Sequence, residues 1–301
     1  MSRLGSLGSL GSQGSPDPEE QRRSITTGTY LAIGVVVVVV ACALVAVAVR
    51  LFGGDDAAES RGPVEIVPSH PSAAPAAPDS ADDATQGLGA PTVDRLGRRV
   101  DLPKWAGGWA LPQNQIEHGP YSPAAPVTAP AGVSWQKVND GAIVPFSTSD
   151  GPIAVDGLTA VGFAHSPQGA ALAAWQIAMR LGASNNEVAR KIYDRQVVMS
   201  DSQRRELYSQ LDSEGPYHRG ASDAVLSHQS KADAFRVREY ADDMAVIEYA
   251  SVAQKADDGT DQWLTSRLIA SWVDGDWKLT FPEQLGDPTG TSTSLSGWTT
   301  W

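Results

Sequence analysis

The chain contains a single cysteine, Cys42. One thiol cannot close an intrachain disulfide, so every folded part must be held together by burial. Histidine is scarce too: His70, His118, His165, His218 and His228 are the whole set. No two stand four residues apart, the spacing that puts two ligands on one helix face, so neither a metal nor a cofactor is expected. Lysine is rarer still, 6 against 17 arginines, and the net charge is −12. Residues 101–301 carry 15 Lys plus Arg against 24 Asp plus Glu, a net −9. Affinity for a phosphate backbone comes mainly from neutralising cations, so direct nucleic-acid binding is not expected. The negative surplus favours solubility. No P-loop, no Gly-x-Gly-x-x-Gly and no Gly-x-Ser-x-Gly elbow is present, and no catalytic residues are assigned.

What the chain has in abundance is one apolar run. Tyr30 to Val49 is twenty residues without a charge, with six valines at Val35–Val40. At ~1.5 Å per residue a helix of this length reaches about 30 Å, the thickness of a bilayer's hydrocarbon core. The run is longer than a signal-peptide h-region and 29 residues precede it, so an uncleaved single-pass anchor in the lipid bilayer is expected. Arg22 and Arg23 precede it, and Arg50 with Asp55, Asp56 and Glu59 follows. That bias predicts a cytoplasmic N-terminus and an extracytoplasmic C-terminal domain at the cell membrane.

Composition divides the rest. Residues 1–29 carry Leu-Gly-Ser repeats and cannot form a core, so they read as a disordered cytoplasmic tail before a transmembrane helix over 30–51. Residues 52–100 form a Pro/Ala-rich linker, semi-rigid where polyproline-like. The basic cluster Arg95, Arg98 and Arg99 reads as a solvated joint at its end. An irregular strap over 101–132 holds Trp105, Trp109 and Tyr121, and a globular α+β domain spans 133–285, followed by a flexible tail over 286–301. Trp298 and Trp301 in that tail are expected to dock back.

Inside the domain, two strands, Val133–Val138 and Ala142–Phe146, flank Asn139-Asp140-Gly141, a hairpin signal. Ser166-Pro167 caps a helix over 167–181 that only Gln168, Gln176 and Arg180 keep from being wholly apolar, with Gly182 as its stop. Ser184-Asn-Asn-Glu187 and Ser200-Asp-Ser-Gln203 read as capping boxes for two more helices, the last short, and Gly215-Pro216 ends the helical region. The remainder alternates with period two. Phe235, Val237, Ala245, Ile247, Tyr249, Leu268, Ala270 and Trp272 share one face, and Glu248, Arg267 and Ser271 the other. Asp257-Asp-Gly259 and Asp274-Gly275 mark turns.

Helices packed on a curved antiparallel sheet, closing with Ser271-Trp-Val-Asp-Gly-Asp-Trp-Lys-Leu279, resemble the nuclear transport factor 2-like cone over roughly 166–282. The layout of tail, anchor, linker and exported domain is similar to the VirB/TcpC-type subunits of type IV secretion machines. The stretch Gly162-Phe-Ala-His-Ser-Pro-Gln-Gly-Ala-Ala-Leu-Ala-Ala-Trp-Gln-Ile177 resembles actinobacterial single-pass membrane proteins of conjugative elements. These resemblances imply a non-enzymatic bitopic subunit of a conjugative-transfer or secretion complex in the cell envelope. Its partners would be other membrane-complex subunits or further copies of itself, and no catalytic residues carry over. The alternative is an exported domain that holds a small apolar or cell-wall ligand in a cone-shaped pocket.

Seven residues are the candidates for pocket or contact: His165, Trp175, Tyr193, Tyr240, Glu248, Tyr249 and Trp272. Glu248 with Tyr249, Tyr240 or Tyr193 could furnish an acid and a phenol in a cone's mouth, although a carboxylate on a strand's polar face is ordinarily just solvated. His165-Ser166 reads as a loop histidine followed by a helix cap rather than a base and its nucleophile, because neighbouring residues seldom face each other.

Overall fold

The computed structural model describes residues 86–114, 116–255, 259–282 and 288–301. The expected N-terminal tail, the apolar run with its span, most of the linker, and Asp257 and Asp258 of one turn signal lie outside them. Among the described residues no helix is long and apolar enough to cross a membrane. The architecture is α+β: one large sheet, three substantial helices and three small hairpins.

A hairpin of β1 (Thr92–Val93) and β2 (Arg99–Val100) comes first. Asp94 in its turn accepts hydrogen bonds from Arg98 Nε (2.8 Å) and from the N–H groups of Leu96, Arg98 and Lys231. Burial works to raise the Asp94 pKa, but these bonds outweigh it and hold the carboxyl below its ordinary value. Arg98 continues to Asp233 and to the Lys231 carbonyl, both at 2.6 Å. The joint expected to be solvated is therefore a fastener, and the linker ends before residue 92.

β3 (Ser134–Val138) and β4 (Ala142–Phe146) form the hairpin that Asn139-Asp140-Gly141 foretells, with Asn139 and Asp140 at φ 45° and 61°. A third hairpin joins β5 (Ala154–Asp156) to β6 (Thr159–Val161). Helix α1 (Pro167–Ala183) follows and is buried along its whole length. Ser166 Oγ accepts from the Gly169 N–H at 2.9 Å, and Pro167 occupies the first turn. Six alanines let its neighbours approach closely. Gly182 does not stop the helix; it is buried within it, and Ser184 is the C-cap, its N–H bonded to Arg180 O and Leu181 O. The next cap is accordingly one residue later than the capping-box reading: Asn185, not Ser184, accepts from Val188 N and opens α2 (Asn186–Gln196).

Val197 is the C-cap of α2. It begins β7 (Val197–Val198), a two-residue strand. The capping box Ser200/Gln203 does form and starts α3 (Asp201–Glu214), which at 14 residues is not short; Gly215 ends it at φ 87°. One more turn, α4 (Asp223–Ser227), follows where no helix was expected.

The sheet is an antiparallel meander of β8 (Ala232–Ala241), β9 (Met244–Lys255), β10 (Asp261–Val273) and β11 (Asp276–Thr280). The β10–β11 turn is Asp274-Gly275, both at positive φ (55° and 81°), as a two-residue hairpin loop demands. β11 pairs in parallel with β7. Register irregularities at Ala232/Ala234, Val237/Glu239 and Trp263/Leu264 bend the strands.

Residues 288–301 are not a flexible tail. β12 (Thr289–Ser292) pairs with β10 on the edge that the shorter β11 leaves open, and β13 (Thr299–Thr300) pairs with β8. The physical cause is two indoles. Trp298 is buried, and Trp301 packs on Phe235 (4.5 Å between ring centroids) and edge-on to Trp135 (5.4 Å).

Candidate functional site

The inner sheet face is filled by α1. Trp175 tilts against Tyr249 at 5.0 Å and edges onto Trp135 at 6.3 Å, and its Nε1–H donates to Ile143 O. The Tyr249 hydroxyl donates to Ala171 O at 2.7 Å, and burial drives its pKa well above the ordinary value. Two of the expected pocket residues are thus core. Tyr193 is a third: it is buried beside Phe281, and burial raises its pKa.

The polar residues of α1 form a stripe that grips the surrounding segments. Gln168 Nε2 donates to Thr128 O and Oγ1, and Gln176 Nε2 to Pro145 O. Arg180 is fully buried and, among the described residues, has no carboxylate partner. Its Nη1 donates to Gly107 O (2.8 Å), Asn139 Oδ1 (3.0 Å) and Leu158 O (3.0 Å), while Nε and Nη2 share Gln176 Oε1. Burial lowers its pKa to about 9, so the guanidinium is still charged at neutral pH. One cation satisfied by neutral oxygens thereby ties α1, the strap, the β3–β4 hairpin and the β5–β6 hairpin together.

A second polar knot centres on Asp150, which is fully buried. Ser166 Oγ (2.8 Å) and His118 Nε2 (2.8 Å) donate to Oδ1, and Ser149 Oγ (2.5 Å) to Oδ2. Ser166 Oγ thus makes two bonds, donating to Asp150 and accepting from the Gly169 N–H in the helix cap. Thr128 Oγ1 stands 3.5 Å from His118 Nδ1, at the outer limit of hydrogen bonding.

Above this knot the strap and the end of the β8–β9 hairpin enclose an open cleft of about 790 Å³. Tyr121, Tyr240 and His165 line it, and behind them runs a series of aromatic rings in mutual contact. Tyr121 lies 5.7 Å from Tyr240, Tyr240 6.0 Å from Trp277, and Trp277 5.3 Å from Trp272. His165 stacks on Trp272 at 4.0 Å with 10° between planes, and its Nε2–H donates to Asp242 O at 2.5 Å. The run is held from behind, because Trp277 Nε1–H donates to Ala164 O and the Asp276 carboxylate accepts the N–H groups of Gly162 and Phe163. Burial raises the pKa of the Tyr121 and Tyr240 phenols, with Glu239 and Asp242 respectively adding to it, so both stay neutral. Ile116 and Glu117 complete the exposed rim.

Two of the seven candidates, His165 and Tyr240, therefore line one cleft, and Trp272 stacks behind His165. Glu248 does not join them. It is buried on the outer sheet face, bonded to Arg267 Nη2 (2.7 Å) and Arg236 Nε (2.6 Å), with Arg238 at 4.0 Å. Arg236 in turn covers the Trp298 ring at 4.3 Å. The pairing of Glu248 with a tyrosine in one mouth is not realised, since period two sends them to opposite faces. Sequence reasoning missed the His118–Asp150 pair, because its halves lie 32 residues apart in irregular chain. Among the described residues no three His, Cys, Asp or Glu side chains gather as a metal site.

A sheet backed by helices, with strap and tail bound into it, defines a single α+β class of domain. The chain belongs to the family described as Domain of unknown function (DUF8175), whose model matches residues 101–300. Those bounds take in the strap and the two C-terminal strands along with the central fold. No curated protein and no solved structure matches the chain.

Proposed function

We propose that the chain is a non-enzymatic, membrane-anchored subunit of a conjugative-transfer or type IV secretion-like envelope complex, and that its C-terminal domain works outside the cytoplasm by protein–protein contact. The observation that carries this reading is where the aromatic surface lies. The inner sheet face is occupied by α1, Trp175, Tyr249 and Phe235, whereas the accessible rings line an open cleft at the surface. Surface aromatics on a rigid frame are the usual anchors of protein interfaces. The anchor, linker and expected orientation come from the sequence layout. The order of elements supports a nuclear transport factor 2-like cone: helices first, a short strand between them, then a bent meander whose last strand returns beside that short one. A small ligand inside the cone is the weaker reading, because side chains already fill the space between α1 and the sheet.

Co-purification from gently solubilised membranes tests the proposal. The full chain is expected to elute with other envelope subunits; elution at monomer mass without partners speaks against it.

A further inference from the structure

We infer that the cleft between the strap and the β8–β9 hairpin is a docking site for a cationic peptide segment of a protein partner, with arginine side chains laid on the faces of Tyr121 and Tyr240. This rests on the contact-domain reading above and gives that contact a place and a chemistry. Three observations carry it.

The first is size and shape. About 790 Å³ of open space is far more than one side chain fills, and an adjoining hollow of about 170 Å³ extends it past Thr128 and Gln168. The second is charge. The rim carries Glu117 and Asp242, both exposed, while Asp150 is buried beneath the floor and already bonded. The two imidazoles are already engaged, His118 with Asp150 and His165 with the Asp242 carbonyl. Among the described residues no lysine or arginine lines either hollow. Arg238 and Glu239, which act on Tyr121 from outside, oppose each other. Aromatic faces beside unneutralised carboxylates attract a guanidinium through both ring quadrupole and Coulomb terms. The third is an unmet acceptor. Gln168 is buried, its Nε2 is spent on Thr128, and its Oε1 accepts from no donor. A buried acceptor without a donor is costly, and this one belongs to a residue that lines the adjoining hollow.

The test uses the full-length chain in mild detergent and titrates four probes by calorimetry: tetra-arginine amide, tetralysine amide, tetraglutamate amide and chitotetraose. Tetra-arginine is expected to bind most tightly, tetralysine less so, and tetraglutamate and chitotetraose not at all. The Glu117→Gln/Asp242→Asn variant, altered only at exposed positions, is expected to lose about tenfold in tetra-arginine affinity. Removing equal charge from α3 (Asp201→Asn/Glu206→Gln) is expected to change it little. Equal losses in both variants would mean diffuse attraction to an acidic protein and would overturn the inference. So would absence of tetra-arginine binding, or preference for chitotetraose. Co-purification separates the two levels. If wild type and the Glu117→Gln/Asp242→Asn variant recover the same partners, complex membership stands and the cleft has no part in it. If wild type recovers none, the contact-domain reading fails, whatever the titration shows.

Discussion

Glu248 and Tyr249 are neighbours in sequence and opposites in space. The carboxylate of Glu248 is clamped by Arg236 and Arg267 on the outer sheet face, while the hydroxyl of Tyr249 donates to Ala171 O within the core. Each half of the pair is consequently a structural element of its own layer, and each can be tested separately.

Replacing Glu248 with Gln should cost about 1–2 kcal/mol, toward the lower end because solvent screens the partly exposed Arg267. The pH dependence has a definite sign. Burial alone would raise the Glu248 pKa, but the Arg267 and Arg236 bonds hold it below its ordinary 4.5. Its contribution is therefore complete above that value and is lost as pH falls through the lower, folded one. Thermal midpoints of wild type and variant should differ at neutral pH and converge in acid. A gap that widens below pH ~4 would contradict this assignment.

Arg180 is the strongest single fastener. Arg180→Met leaves Gly107 O, Asn139 Oδ1, Leu158 O and Gln176 Oε1 without their donor, and a cost of about 3 kcal/mol or more is expected from urea unfolding. Arg180→Lys should not rescue it, because an ammonium cannot fork to acceptors on four segments. A loss under about 1 kcal/mol for Arg180→Met would show that the charge is dispensable.

Gly169 sets two effects against each other. Alanine is favoured over glycine inside a helix by about 1 kcal/mol. Here, however, a Cβ would lie 1.9 Å from the Ala164 carbonyl oxygen, a backbone atom that can move only with the helix start. The clash wins, and Gly169→Ala is expected to destabilise by about 1–3 kcal/mol in thermal unfolding. A rise in midpoint would mean that the first turn of α1 shifts freely.

The strap should depend on His118. His118→Ala removes the imidazole bond to Asp150 while Ser149 and Ser166 still donate to that carboxylate. Faster limited proteolysis near residues 116–125, with little change in global stability, is the expected outcome. Unaltered cleavage would show that Gln168 and the Tyr121 bond to Val237 O hold the strap without it.

Much of the fold could be read from local chemistry. Asp274-Gly275 and Asn139-Asp140-Gly141 specify turns, Ser166 and Ser200 are caps, and alternation along 245–272 assigns the two sheet faces. What escaped reading has a common cause. β7 and β13 are two residues long and show no periodicity; they exist because Leu279 and Phe235 present an edge to them. Ser184 and Asn185 are both good caps, so the sequence alone could not say which belonged to which helix. Of the cleft, His165 and Tyr240 are legible as candidates because they are aromatic or titratable, as is Trp272, which stacks behind His165. That Tyr121 and His118 would join them depended on the path of a strap without regular structure, and through-space proximity of that kind leaves no local signal.

Site-specific photocrosslinking in intact cells tests the central claim most directly. A photoreactive residue in place of Ile116, half-exposed on the cleft rim, should yield adducts with a separate envelope protein. The same probe at Tyr217, 82% exposed and remote in sequence from the cleft-lining residues, provides the comparison. The account predicts strong, discrete adducts at Ile116. Adducts at neither position, with the chain recovered only as monomer, would contradict it.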